Sequence, residues 1–568
     1  MAKPSVKTGL VRPNGMAITH AEVAYVQARA NFGFARSNEA ASDNGAFLSG
    51  WRPWLGSADR DWIPDRDKVV ARARDASRND VVGASAGNRK VNRSIGSGWR
   101  LASRVNARAL GISPDAAGEL RAEIDTQFRI FAYGTGFHSD AERKKTFGQM
   151  LRLSASHLFH DGEALGVVEY ASDEPTQFRT RLRMVDPDRL SNPMGQMDTA
   201  DLRGGVKRDK AGRVQGYYIR EAHPNDLGVN PSLVWKFWPR FATPFGRPQV
   251  LHAFDEKRAG QSRGVSQFVS VLKSLRGFNR FTDATLEATT INALFVAFAK
   301  SSAGLEAVSE NISPEDLQGF GKERKSYYDE HPITLGGAQI PVLPLGDEIA
   351  MQTAARDTSG FDSFVRAILR LIAAALGITY EELSMDFSQT NYSSARAALA
   401  IAWDELLVFR SIIASQIASP FFVAWLEEAF DIGTLTIPAG APDFYDAVDA
   451  YAECLWIGPG KGYIDETKEV DAAAARIEAG ISTLEKECAE DGEDWRDVMA
   501  QQAIEQAERE RLGLPAPGHN NGGPPLDPAQ EDLAARQRDE RPQGGALARL
   551  AARARSAEHN IFLDQRPS

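Results

Sequence analysis

The spacing of apolar residues changes once along the chain, near residue 262, and that change restricts the fold more than any other feature. Residues 147–262 alternate short β-prone runs with turns: Glu163–Tyr170, Phe178–Val185, Val214–Ile219 and Leu233–Trp238, separated by Asp-Pro-Asp-Arg, Asn-Pro-Met-Gly, Asp-Lys-Ala-Gly and His-Pro-Asn-Asp. β-Branched and aromatic residues bounded by turn formers predict antiparallel hairpins. Arg208–Arg213 is a polar hairpin tip, and the whole reads as an α+β domain from about Trp51 to Gly260. Beyond it Val265, Phe268, Leu272 and Leu275, then Ala288, Ile291, Phe295 and Phe298, recur at helical spacing. This predicts one helix over 263–300, about 57 Å long at ~1.5 Å per residue, with Gly277 placed to bend it.

Further along, Ser313-Pro314-Glu315-Asp316 carries a helix-opening signal, and a strand pair is expected around Ile340–Leu345. Phe361–Leu376 is a second amphipathic helix, with Phe361, Phe364, Val365, Ile368, Leu371 and Ile372 on one side. Ser393–Phe430 is a third, and the polar loop Ser384–Tyr392 between them has neither Pro nor Gly. Three more helices are expected over Asp465–Gly480, Ser482–Asp491 and Asp494–Leu512. Met1–Gly50 reads as a flexible arm with a candidate helix at Ala21–Phe32, and the Gly/Pro- then Arg-rich sequence from Gly513 as a disordered tail. Asp65–Asp80 reads as a solvated charged helix face, and Gly83, Gly87, Gly96 and Gly98 as a turn-rich passage into strands.

At 568 residues the chain exceeds one hydrophobic core, so two or more packed units are expected. With 43% hydrophobic and 25% charged residues it has the composition of a soluble protein. The most apolar runs, Ile368–Leu376 and Ile291–Ala299, fall short of a bilayer span, and Met1–Leu10 lacks a signal-peptide core, so no membrane partner is expected. Two cysteines, Cys454 and Cys488, rule out a disulfide framework and a Cys-rich zinc module. The net charge of -10 argues against non-specific coating of nucleic acid. It conceals a gradient: 18 Lys/Arg against 9 Asp/Glu over residues 1–110, and 6 against 19 over 443–510.

Chemistry is largely missing. Gly458-Pro459-Gly460-Lys461-Gly462 lacks the spacing and hydroxyl residue of a phosphate-binding loop, and no cofactor motif is present. The nearest imitation of a site is His157, His160 and Glu163, which with Asp186 could be drawn as a metal-dependent nuclease. Against it, Asp161-Gly162 is a turn signal and Asp186-Pro187-Asp188 an ordinary strand-ending turn.

Several segments together resemble a known family. HDGEALGVVEY (160–170), VDPDRL (185–190), GVKRDKAGRVQGYYI (205–219), RAGQSRGVSQFVSVL (258–272), ALGITYEELSMDFSQTNYSSARAAL (375–399) and the run from GPGKGYIDETKEV to EDWRDVMAQ (458–501) are similar, in order, to lambda-type portal proteins of tailed bacteriophages. The resemblance implies a non-enzymatic ring, typically of twelve subunits, at one capsid vertex of the virion. Through such a ring double-stranded DNA is packaged and ejected, and on it the terminase large subunit and the neck adaptor dock, beside capsid and scaffold proteins. It implies no cofactor, and assembly in the host bacterial cytoplasm.

By family order the wing is 51–262, the first stem helix 263–300, the clip 301–357, the second stem helix 358–380, the channel loop 381–393, the long wing helix 394–430 and the helical crown 431–512. The resemblance then makes Asp386, Ser388, Gln389, Thr390, Asn391 and Tyr392 channel-lining, and Lys322, Arg324 and Lys325 the motor-docking face of the clip. Phe278, Phe281, Ile291, Phe295 and Phe298 place apolar side chains on more than one side of the first stem helix, so neighbours beyond its own domain are expected to cover them.

Overall fold

A computed structural model describes residues 50–172, 176–226, 233–242, 246–294, 298–301, 319, 322–323, 325–326, 329–330, 347–350, 361–463 and 465–514. The chain divides into two compact units at Pro459/Gly460.

The first unit opens with α1 (Ala58–Asn79) and α2 (Val81–Ser94). Asp80 links them: its N–H closes α1 on Ala76, while its carboxylate accepts the N–H groups of Val82 and Gly83 and so caps α2. There follow β1 (Arg100–Ser103), α3 (Ala107–Leu110), α4 (Pro114–Tyr133) and α5 (Phe147–His160), the last started by a reciprocal Thr146/Gln149 capping box. The strands are β2 (Glu163–Tyr170), β3 (Thr180–Val185), β4 (Leu202–Arg203), β5 (Val206–Arg208), β6 (Val214–Arg220), β7 (Trp235–Pro239), β8 (Phe241–Ala242), β9 (Arg247–Pro248) and β10 (Val250–Phe254). They make antiparallel sheets ordered β10-β2-β3 and β4-β5-β6-β7, as the turn chemistry predicts, and a small β8-β9 pair.

Then come α6 (Leu272–Leu294), β11 (Phe298–Ser301) paired with β12 (Asp347–Ala350), α7 (Phe361–Leu376), α8 (Tyr380–Ser384) and α9 (Tyr392–Ile413). A π-helical turn, Ala414–Ala418, carries α9 without a break into α10 (Ser419–Asp431). After α11 (Val448–Tyr451), β13 (Cys454–Ile457) returns to pair with β1. The core converges on Phe128 of α4, whose ring meets Phe147 at 5.7 Å, Phe422 at 5.4 Å, Trp425 at 5.1 Å and Trp456 at 5.9 Å. Glu428 of α10, buried, accepts the N–H groups of Arg179 and Thr180 and so ties β3 to the helices. The second unit is helical, with α12 (Glu466–Glu478), α13 (Leu484–Glu490) and α14 (Trp495–Leu512), and Arg476 pairs with Glu487 across the first turn between helices.

Several sequence expectations change. The single helix over 263–300 is instead a 3₁₀ turn at Gln267–Ser270, α6 at Leu272–Leu294 and a strand from Phe298, so α6 is about 34 Å long. The early part is held away from helical geometry by long-range contacts. Arg263 is buried on Glu163, and a Cβ on Gly264 would lie 2.0 Å from the carbonyl oxygen of Gly162. Asp65–Asp80 is not merely a solvated face, because Arg66 is buried and Arg74 bridges three carboxylates. Gly83 and Gly87 lie inside α2, not in turns. Residues 381–384, expected in the channel loop, belong instead to α8, which starts at Tyr380. Leu435, Phe444 and Tyr451 belong to the core of the first unit, so the acidic C-terminal unit begins at Gly460 rather than 431. The Ala21–Phe32 helix, the 313–316 capping signal, the 340–345 strands and the tail from 515 lie outside the described residues.

Candidate functional site

The loop between α8 and α9 is built by its own polar side chains. Thr379 and Glu382 cap α8 reciprocally, and α8 ends on Met385 in the left-handed region at φ 57°. The Asp386 carboxylate then accepts the Ser388 N–H at 3.0 Å and the Tyr380 hydroxyl at 3.0 Å. Hydrogen bonds from Ser388 and Tyr380 hold that carboxyl below its ordinary range. Thr390 donates to Glu381 at 2.9 Å, and the Asn391 side chain caps α9 by accepting the Ser394 N–H at 2.8 Å. Of the residues proposed to face a channel, Asp386, Thr390 and Asn391 are therefore also engaged in shaping the loop. Ser388 and Gln389 are exposed at its tip, and Tyr392 begins α9. Met385 and Phe387 are also exposed on this loop, although a polar pattern alone does not single them out.

Within one chain α6 and α7 pack through aromatic contacts. Phe281 stacks on Phe361 at 5.5 Å and meets Phe364 at 4.6 Å. Phe278 and Phe281 are half-buried; Ile291 and Phe298 fall on α6 and β11, and Phe295 lies outside the described residues. Lys322 and Lys325 are exposed on helical backbone, while Arg324 lies outside the described residues.

The acidic and histidine residues drawn as a nuclease form a different object. Glu163 is fully buried and accepts from Arg66 at 3.0 Å, Arg263 at 2.9 Å, His252 at 2.9 Å and the Gly264 N–H at 3.0 Å. Burial alone would raise its pKa, but Arg263, Arg66 and His252 hold it well below the carboxylate range. His157 is bonded to Asp161 at 2.6 Å, and His160 lies between Ser77 and Ser156. Arg74 takes Asp161, Asp186 and Asp188. Asp186, Asp188 and His223 bring one ligand atom each within 4.8 Å of one another, yet Arg74 and Arg66 already supply cations to the two carboxylates. His157, His160, Glu163 and Asp186 thus do not converge on a metal, and the nuclease reading finds no support. The cluster is an ionic hub that fastens α1, β2, β10 and the 258–266 segment leading into α6. The sequence concealed it because Arg66, Arg74 and Arg263 are remote from Glu163 along the chain.

Comparisons with known proteins bear on most of the chain. A family model described as phage portal protein, lambda family, matches residues 44–410. The portal protein of Escherichia phage N15 is 35% identical over 482 residues, covering 83% of this chain and 90% of the relative. Portal protein B of Escherichia phage lambda is 34% identical over 526 residues, covering 91% and 95%. Among solved structures, the neck of an empty gene transfer agent particle computed with C6 symmetry aligns with a TM-score of 0.43 at 16% identity, covering 83% of this chain and 98% of that one. With a family match over more than half its length and relatives this similar over most of it, the chain belongs to the lambda family of phage portal proteins.

Proposed function

We propose that twelve copies close into a ring at one capsid vertex, through which double-stranded DNA is driven during packaging and leaves during ejection. The observation that carries this reading is the 34–35% identity to two portal proteins across 83–91% of the chain. The apolar surface of a single subunit supports it. Leu371 of α7 and Ile401 and Val408 of α9 are 72%, 69% and 58% exposed. Side chains of that kind on long helices call for a neighbour, and identical neighbours related by a closing rotation provide one.

In this reading β2–β10 and the helices around them form the wing, α6 and α7 the stem, the segment between them the clip and the acidic second unit the crown. Ser388 and Gln389 face the channel, and the clip around Lys322, Arg324 and Lys325 meets the terminase large subunit. Capsid, scaffold and neck adaptor proteins contact the outer surfaces, and the ring is assembled in the host cytoplasm and retained in the virion. The work is structural, without catalysis and without a membrane partner. Ser393–Asp431 is long and apolar enough to cross a membrane, but its second half supplies the buried Phe421, Phe422 and Trp425 of the core. Size-exclusion chromatography with light scattering tests the reading: twelve chains of 62.1 kDa give roughly 0.7 MDa. A species that stays at the monomer mass under assembly conditions would contradict it.

A further inference from the structure

Among the described residues the four-stranded sheet ends on β7, with no strand paired beyond it. The Glu221 N–H donates to Val234 and the Arg240 N–H to Gln215, and these bonds fix the alternation of the β6–β7 ladder. Pairs 219/236 and 217/238 are then the hydrogen-bonded ones. Trp235 and Phe237, opposite Arg220 and Tyr218, turn their N–H and C=O groups outward from the sheet. Pro239, which has no N–H to offer, closes this edge. An edge of five residues, about 17 Å long, is left to pair with something.

The side chains along it are cations resting on rings. Arg220 lies over Trp235 at 4.5 Å, Lys236 over Trp238 at 4.0 Å, Lys207 over Phe237 at 5.6 Å and Arg240 over Phe241 at 5.1 Å. Among the described residues no carboxylate pairs with Arg220, Lys236 or Arg240, and the buried Nε of Arg220 has no hydrogen-bond acceptor. Beside the strand run two adjoining cavities of about 440 and 260 Å³, both lined by Glu169, Lys236 and Trp238. Glu169 is already bonded to Arg183 at 2.7 Å, so the groove keeps an excess of positive charge.

We propose that the outer edge of β7 is a docking strand for an acidic, extended segment of a partner protein. The segment adds to the sheet through the outward backbone groups of Trp235 and Phe237 and lays its carboxylates against Arg220, Lys236 and Arg240. The backbone edge selects a peptide; the cations, held in place by the rings beside them, select acidic side chains, with Arg220 on the face that carries Trp235 and with Lys236 and Arg240 on the opposite face. Single-stranded nucleic acid is the less suitable occupant, because bases need open ring faces and each of these rings already carries a cation over one face. The inference stands on the edge and its charges and does not depend on ring formation.

The test uses the full chain and fluorescence anisotropy with three labelled probes: a twelve-residue peptide alternating Glu and Thr, its Gln/Thr counterpart and a twelve-nucleotide oligothymidylate. Saturable binding of the Glu peptide is expected, weakened about tenfold or more in the Gln peptide. Lys236→Glu and Phe237→Pro should each weaken it by a similar factor at unchanged melting temperature. The second change removes an outward N–H, together with the ring under Lys207, and leaves Arg220, Lys236 and Arg240 in place, so it tests edge pairing apart from those three charges. Equal binding of the two peptides, preference for the oligonucleotide, indifference to both substitutions, or no binding of any probe would each overturn the proposal.

Discussion

Replacing Glu163 by Gln removes one charge from the ionic hub and changes almost no volume. The carboxylate is fully buried and accepts from two guanidinium groups, an imidazole and a backbone N–H at 2.9–3.0 Å. Gln keeps one acceptor oxygen and turns an amide N–H₂ toward groups that are themselves donors. Arg66 and Arg263, both buried, lose the charge between them. Breaking one side of a buried ion pair costs about 3–5 kcal/mol, a large part of the roughly 5–15 kcal/mol by which a domain is stable. With a urea slope of about 3 kcal/mol/M the unfolding midpoint should fall by about 1 M or more. Tryptophan fluorescence of the full chain in urea would measure it, with Arg263→Met and the double variant completing a cycle. The double variant should be less destabilised than the sum of the singles, because the second change removes a charge the first left unpaired. A midpoint shift under about 0.3 M for Glu163→Gln, with additive singles, would refute the view that this carboxylate neutralises the hub.

Acid should weaken the same region. Burial holds His252 and His160 below the ordinary histidine range, so the unfolded chain takes up protons near pH 6.5 that the folded chain does not. Stability should therefore fall as pH drops below about 6.5, by at most about 1.4 kcal/mol per pH unit for each histidine, and His252→Asn should flatten that slope in melts between pH 7.5 and 5.5. The contribution of Glu163, whose folded pKa is depressed, is present above its unfolded value near 4.3 and is lost only at lower pH. Gly264→Ala should cost about 2 kcal/mol or more in the same urea assay, since its Cβ would meet backbone of Gly162 at 2.0 Å. In the channel loop Gln389→Lys should leave ring yield unchanged and slow DNA translocation in a reconstituted motor, with relief at raised salt. Asp386→Lys should do the same while also lowering the melting temperature, because it loses the Ser388 and Tyr380 hydrogen bonds.

Where local signals and tertiary contacts agree, the elements were readable from the residues. Glu163–Tyr170 and Phe361–Leu376 appear with the bounds their patterns predict, and the Asp209–Arg213 tip turns between β5 and β6. Where a distant contact decides, pattern misled. Val265 and Phe268 have helical spacing with Leu272 and Leu275, but burial of Arg263 on Glu163 and the close approach of Gly264 to Gly162 hold 263–271 in another conformation. Gly83 and Gly87 resembled turn formers, yet they sit four apart on α2 where neighbours come close: a Cβ there would lie 2.7 Å from the Ala76 carbonyl oxygen and 2.6 Å from His160 Nε2. The candidate site divides in the same way. The polar run between two helical patterns is legible in the residues and its place in the channel is what the family resemblance implies, but the engagement of Asp386, Thr390 and Asn391 in its own framework depends on Tyr380, Glu381 and Ser394 and shows only in three dimensions.

The central claim is that this chain works as a closed ring built on the exposed faces of its long helices. Light scattering and negative-stain imaging of the full chain beside Ile401→Asp and Val408→Asp test it most directly. Both side chains are largely exposed in a single subunit, so an aspartate there should leave the monomer folded, with its melting temperature unchanged, while burying an unpaired charge wherever two subunits meet. The account expects rings of roughly 0.7 MDa from the unaltered chain and folded monomers of 62.1 kDa from the variants. Monomers from the unaltered chain, or full-yield rings from both variants, would contradict it.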